Sequence, residues 1–124
     1  MSPSFDNPEL ARAMEALSRS DIDALPYGVV RLDARGRVIL YNEAEARLSG
    51  RGARAVLGLD FFAEVAPCLS GPEYKGRIDS AIARGRVDIE MGCVGDFKDP
   101  DGEYRARIVS ASDGGLWILH RRED

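Results

Sequence analysis

The chain has 124 residues, 44% of them hydrophobic and 31% charged, with a formal net charge of -4. That length supports one core and not two, and that balance is typical of a folded soluble domain. Scattered arginines on a net negative chain argue against nucleic acid as a main partner, no apolar run approaches a membrane span, and Met1-Ser2-Pro3-Ser4-Phe5-Asp6 lacks the basic opening and apolar centre of a signal peptide. Cys68 and Cys93 follow neither a metal-ligand spacing nor a disulfide framework, so a reducing, cytoplasmic setting is expected. His120 is the single histidine, which leaves little for a His-based metal site or triad.

Asn7-Pro8-Glu9 predicts a helix start, with Asn as N-cap, Pro at the first helical position and an acid in the first turn. Leu10, Met14 and Leu17 then share one face. Ser20-Asp21 predicts the cap of a second, very short helix ending before Pro26. So narrow an apolar face suggests that residues 1–26 form a helical cap lying on a core made by residues 27–124.

That core opens near Gly28. Val29, Val30 and Leu32 lead into Asp33-Ala34-Arg35-Gly36, and Val38, Ile39 and Leu40 follow, which predicts a hairpin with a Gly-containing turn. Tyr41-Asn42-Glu43-Ala44-Glu45-Ala46-Arg47-Leu48-Ser49-Gly50 predicts a short helix with an Asn cap and a Gly stop. Single helical turns are expected over 53–57 and 60–65. Ser70-Gly71-Pro72-Glu73 opens a longer helix, with Tyr74, Ile78 and Ile82 on one face and Gly85 at its end.

Three strands finish the chain. Val87, Ile89, Met91 and Cys93 alternate with Asp88, Glu90 and Gly92, the pattern of a strand with one buried face. Asp99-Pro100-Asp101-Gly102 is a turn, and Tyr104, Ala106 and Ile108 alternate with Arg105 and Arg107, which read as a solvated face. Ser112-Asp113-Gly114-Gly115 turns into Leu116-Trp117-Ile118-Leu119. His120 is expected to be structural or exposed on an edge-like final strand, and Cys93 to be core. The simplest packing is α+β: a five-stranded antiparallel sheet with helices on one face, the helical segment crossing to the other edge or the centre of the sheet. A small ligand would fit between sheet and helices.

Phe61-Phe62-Ala63-Glu64-Val65-Ala66-Pro67-Cys68 is a short apolar stretch that ends in a cysteine. Pro67 pushes Ala66 out of the helical region, so a helix begun near Asp60 should stop near Ala66 and leave Cys68 on an irregular segment. Such a cysteine can be a small buried hydrophobe, or a nucleophilic thiolate where its surroundings favour one.

The order of elements resembles a PAS domain. Within that fold the chain is similar to the photoactive yellow protein family of bacterial blue-light receptors. The likeness is carried by Leu25-Pro26-Tyr27-Gly28, Tyr41-Asn42-Glu43-Ala44-Glu45, Ser49-Gly50-Arg51, the stretch ending in Cys68, Glu73-Tyr74-Lys75-Gly76 and the Trp117 strand. It implies a PAS fold with an N-terminal helical cap, and 4-hydroxycinnamic acid (p-coumaric acid) joined to Cys68 as a thioester. It also implies that Tyr41 and Glu45 hydrogen-bond the chromophore phenolate. Ser49, where the family commonly has Thr, would support the Tyr41 hydroxyl, and Arg51 would cover the pocket. The loop over 94–101 lacks the methionine that the family often carries near the chromophore, and Met91 and Cys93 stand where aromatic residues are expected.

The chemistry that the resemblance implies is physically coherent. A phenol ionises near pH 10 and burial penalises its anion, so a buried phenolate at neutral pH needs hydrogen bonds aimed at its oxygen. Tyr41 and Glu45 are four residues apart and could converge. Glu45 would donate as the carboxylic acid, the form that burial favours, and charge-assisted O–H···O⁻ bonds are short and strong. Each residue also has a plainer role: Glu45 as a capping-box partner, Tyr41 as a half-buried strand residue, Ser49 at a helix end, Arg51 as a surface charge. The expected function is light sensing, not catalysis, by a monomer or weak dimer that acts on a downstream signalling protein. The alternative is a PAS interaction module without covalent chromophore, signalling by dimerisation or a loosely bound ligand. A redox switch using Cys68 and Cys93 lacks a resolving motif.

Overall fold

The computed structural model describes residues 6–50, 52–66, 69–94 and 103–122. Its centre is an antiparallel sheet in which β1 (Gly28–Leu32), β2 (Val38–Tyr41), β3 (Asp88–Val94), β4 (Glu103–Ser110) and β5 (Leu116–Arg122) take the order β2-β1-β5-β4-β3. The hairpin turn closes as the sequence predicts, with Gly36 at φ 82° and Asp33 Oδ1 accepting from the Arg35 and Arg37 N–H groups. Between β2 and β3 the chain crosses from one edge of the sheet to the other through α3 (Glu43–Ser49), α4 (Ala53–Val56) and α5 (Arg77–Ala83).

Both faces of the sheet are covered, and strand alternation decides which side chain serves which face. Val30, Leu32, Ala106, Ile108 and Ile118 face the crossing helices, where they meet Phe61, Phe62, Val65, Tyr74 and Ile78. Val29, Val109, Trp117 and Leu119 face the other way and pack under Leu10 and Met14 of α1 (Leu10–Glu15), Ile22 of α2 (Arg19–Asp23) and Leu25 just after it. Neither of these helices is long enough to persist alone in water. Burying those four cap side chains, at about 1.5–3 kcal/mol each, holds the segment in place.

Several local expectations change in the folded chain. Asn7 does not cap α1; Glu9 is the N-cap, and Asn7 Oδ1 accepts from its N–H. Ser18, not Ser20, caps α2, in a reciprocal capping box with Asp21. The turn Phe61–Val65 and the turn Pro72–Gly76, which leads into α5, are wide, with i→i+5 bonds such as Ala66 N–H to Phe61 O at 2.7 Å. Tyr74 and Ile78 are buried as expected, but Ile82 is 53% exposed and Ala81 takes the inward position. Arg107 is not solvated: it is 5% exposed, donates to Asn7 O at 2.5 Å and pairs with Asp88 at 3.2 Å.

The larger correction concerns β5. It is not an edge but the middle strand, paired on both sides by β1 and β4. His120 is therefore buried, opposite Gly28 on one side and Ala106 on the other.

Candidate functional site

The site is organised from Asn42, the N-cap of α3. Its Oδ1 accepts from the Glu45 N–H at 3.0 Å and the Val29 N–H at 2.9 Å. Its Nδ2 donates to Ile22 O at 2.9 Å and Tyr27 O at 3.1 Å. All four bonds of one amide side chain are thus made within a fully buried residue. They tie together the helix that carries Glu45, the central sheet and the end of the cap. Gly50 closes α3 in the left-handed conformation, φ 76°.

On this helix Glu45 is 6% exposed and does not form a capping box. The Asn42 N–H, which a capping box would use, is already bonded to Val29 O at 3.1 Å. Instead Glu45 reaches across to the sheet, where its Oε1 lies 3.0 Å from His120 Nδ1. The carboxyl group can sit there because residue 28 has no side chain: a Cβ on Gly28 would overlap Glu45 Oε1. On the other side of the imidazole, His120 Nε2 lies 3.0 Å from the Tyr74 hydroxyl. Glu45, His120 and Tyr74 form one continuous buried chain from α3 through β5 to the wide turn before α5.

Tyr41, at the end of β2, is 1% exposed, and its hydroxyl bonds Ser49 Oγ at 2.7 Å. The plainer reading of a half-buried tyrosine meeting water does not hold. Tyr41, Glu45 and Ser49 are therefore all buried polar groups rooted at the two ends of α3, beside the aromatic group formed by Phe61, Phe62 and Tyr74. Cys68, Arg51 and residues 95–102 of the preceding loop lie outside the described residues. A cleft of about 270 Å³ opens between the β1–β2 turn and α5, where Asp33, Arg35, Lys75 and Asp79 line it; Tyr41, Glu45 and Ser49 are not among its lining residues.

His120 and the Tyr74 hydroxyl are the members that sequence reasoning missed. A signal for His120 was present. Leu116-Trp117-Ile118-Leu119 is an unbroken apolar run, the mark of a strand buried on both faces, and position 120 shares the parity of Leu116 and Ile118.

A family model described as PAS fold matches residues 22–122. Photoactive yellow protein from Halochromatium salexigens is 30% identical over 119 residues, covering 95% of either chain. That from Rhodobacter capsulatus is 32% identical over 101 residues, 81% of this chain and 82% of the relative. The photoactive yellow protein domain of the sensor histidine kinase Ppr from Rhodospirillum centenum has a similar structure, with a TM-score of 0.83 and 33% identity over 90% of this chain and 98% of that one. By sequence and by fold, the chain belongs to the photoactive yellow protein family of PAS domains.

Proposed function

We propose that the protein is a blue-light photoreceptor, not an enzyme, that carries p-coumaric acid as a thioester on Cys68. The observation that supports this most is the buried polar set on α3 and the end of β2: Tyr41 at 1%, Glu45 at 6% and Ser49 at 9% exposed. These groups fit a buried phenolate. In the structure the Tyr41 O–H donates to Ser49 Oγ; both groups are hydroxyls, so the bond can reverse, with Ser49 donating to Tyr41 and the Tyr41 O–H turned toward a ligand oxygen. Glu45 as the carboxylic acid supplies a second donor, and Arg51 matches the family's arginine that covers the pocket. When bound, the chromophore supplies visible absorption and a double bond whose isomerisation moves its phenolate oxygen. Glu45 would then pass its proton to that oxygen, leaving a neutral phenol and a buried carboxylate, a change that costs several kcal/mol before relaxation. Relief comes by partial opening of the fold, most easily at the N-terminal cap, and a downstream signalling protein reads that change.

The test is reconstitution with activated p-coumaric acid. The expected result is a visible absorption band and a mass increase of one thioester, both lost in Cys68→Ala. Absence of any visible band would overturn the proposal. One observation favours the second reading, a PAS interaction module without covalent chromophore: Glu45 and Tyr41 already have protein partners in His120 and Ser49. Intact mass of the protein from its native host separates the two.

A further inference from the structure

We propose that His120, held by Tyr74, is a positioning residue for Glu45, fixing which carboxyl oxygen carries the transferable proton. This rests on the photoreceptor reading and adds a component to it. The imidazole stands between two buried groups, with Glu45 Oε1 3.0 Å from Nδ1 and the Tyr74 hydroxyl 3.0 Å from Nε2. Its cross-strand neighbours are Gly28 and Ala106, which carry no charge; among the described contacts, Glu45 and Tyr74 are the titratable groups set against it.

A neutral imidazole has one N–H, and the partner of each nitrogen decides where it sits. In the arrangement that leaves Glu45 a proton to give, Tyr74 O–H donates to Nε2 and Nδ1–H donates to Glu45 Oε1. Oε1 is then the carbonyl oxygen of the carboxylic acid, and Oε2 carries the proton. Glu45 presents that proton to a phenolate; on transfer the Oε2–H bond breaks, an O–H bond forms on the phenol, and one negative charge passes to the carboxyl group. The same Nδ1–H remains on the new carboxylate. His120 thus acts twice, orienting the acid before transfer and stabilising its anion afterwards, which reduces the strain that an unpaired buried charge would place on the fold.

The reverse chain, with Glu45 donating to Nδ1 and Nε2–H to the Tyr74 oxygen, would direct the Glu45 proton to the imidazole. An imidazolium–carboxylate pair would leave Glu45 no proton to give. Both are distinguishable from the proposed state without any chromophore. Nitrogen-15 NMR of the imidazole in the protein alone should show the Nδ1–H tautomer, shifting toward Nε2–H in Tyr74→Phe. An Nε2–H or doubly protonated ring in the wild type would overturn the proposal.

In reconstituted protein, light-minus-dark infrared spectra should show loss of a protonated-carboxyl C=O band, assigned to Glu45 by its absence in Glu45→Gln. His120→Leu should move that band to higher frequency, because an accepted hydrogen bond is lost, and raise the chromophore pKa by about half a unit to one unit, the scale of one hydrogen bond. His120→Asn, which places an amide N–H near the position of Nδ1, should restore both partly. An unmoved C=O band together with an unmoved titration in His120→Leu would also overturn it. Failure of the wild type to form any visible band sinks the photoreceptor reading instead, while the NMR result still decides the tautomer.

Discussion

Glu45 and His120 meet across the interface between α3 and the middle strand of the sheet, Oε1 to Nδ1 at 3.0 Å, in space that Gly28 leaves by having no side chain. The contact assigns Glu45 to the sheet rather than to its own helix cap, which changes what its substitution should do. Glu45→Gln keeps a hydrogen bond to a phenolate but offers a neutral amide N–H, a weaker donor. The dark-state anion is then less stabilised relative to its excited state, and absorption should move to longer wavelength. Glu45→Ala removes the donor without replacement and should raise the chromophore pKa further. Visible-light pH titrations of the reconstituted wild type, Gln and Ala proteins check this. Three superimposable curves would remove Glu45 from the chromophore's hydrogen bonds.

Gly28→Ala should be costly although it adds a single methyl group. The new Cβ would overlap Glu45 Oε1, and its next neighbours are the Glu45 Cα and Cδ, each at 3.2 Å, so rotating the carboxyl alone does not relieve the clash. Overpacking of this kind costs about 1–3 kcal/mol. It should also displace Glu45 from His120, so loss of stability in urea and a change in the His120 imidazole spectrum should appear together. A variant as stable as the wild type, with the imidazole unchanged, would mean that the two chain segments separate easily.

Asn42 is expected to be the most sensitive polar residue outside the chromophore contacts. Asn42→Ala removes a helix cap, worth about 1 kcal/mol, and leaves buried partners on Val29, Ile22 and Tyr27 unsatisfied, each costing about 1–3 kcal/mol if no water reaches it. A loss of at least ~3 kcal/mol in urea unfolding is predicted. Asn42→Asp separates the roles: it still accepts from Glu45 and Val29 but cannot donate to Ile22 or Tyr27. Its α3 amides should stay protected from hydrogen exchange while those around residues 22–27 lose protection. Equal loss in both regions would show that the cap and α3 open as one unit.

Local chemistry was the legible part of this fold. The hairpin turn, the Asn42 and Gly50 limits of α3 and the alternation of β3 and β4 each follow from a few neighbouring residues. Tyr41, Glu45 and Ser49 were found through a family likeness whose residues fall on one helix and the strand before it. The position of β5 depends on pairing with β1, which lies far away in sequence, and period-2 alternation says nothing about which strand is central. His120 was therefore misplaced at an edge, and its bonds to Glu45 and Tyr74 went unseen. The wide turns at Phe61–Val65 and Pro72–Gly76 carry no local signal in the residues that form them, and Ile82, read on the face of Tyr74 and Ile78, is exposed while Ala81 is buried.

The last prediction concerns acid and the N-terminal cap. Glu15, at the end of α1, accepts from the Ser112 N–H at 3.0 Å and from Trp117 Nε1 at 3.1 Å. Burial alone would raise its pKa, but those hydrogen bonds and the Arg31 charge outweigh it and hold the carboxyl below 4.5. A carboxyl depressed in the folded state stabilises the fold above its unfolded value, and that contribution is lost as pH falls through the lower folded value. The cap should therefore stay latched at neutral pH and loosen below about 4.5. Glu15 is exposed, so the contribution is small, under about 1 kcal/mol. Asp113 titrates in the same acid range: its bond to Arg31 holds it below 3.8, so Glu15→Gln should flatten only the upper part of the acid transition. Trp117 is the single tryptophan; it donates directly to Glu15 and lies under the Arg31 guanidinium, 5.1 Å from its ring centre, so its fluorescence reports both acids. The wild type should show a fluorescence transition between neutral pH and pH 3 whose upper part vanishes in Glu15→Gln. An identical transition in both proteins would place the acid sensitivity of the cap on Asp113 and Arg31 instead.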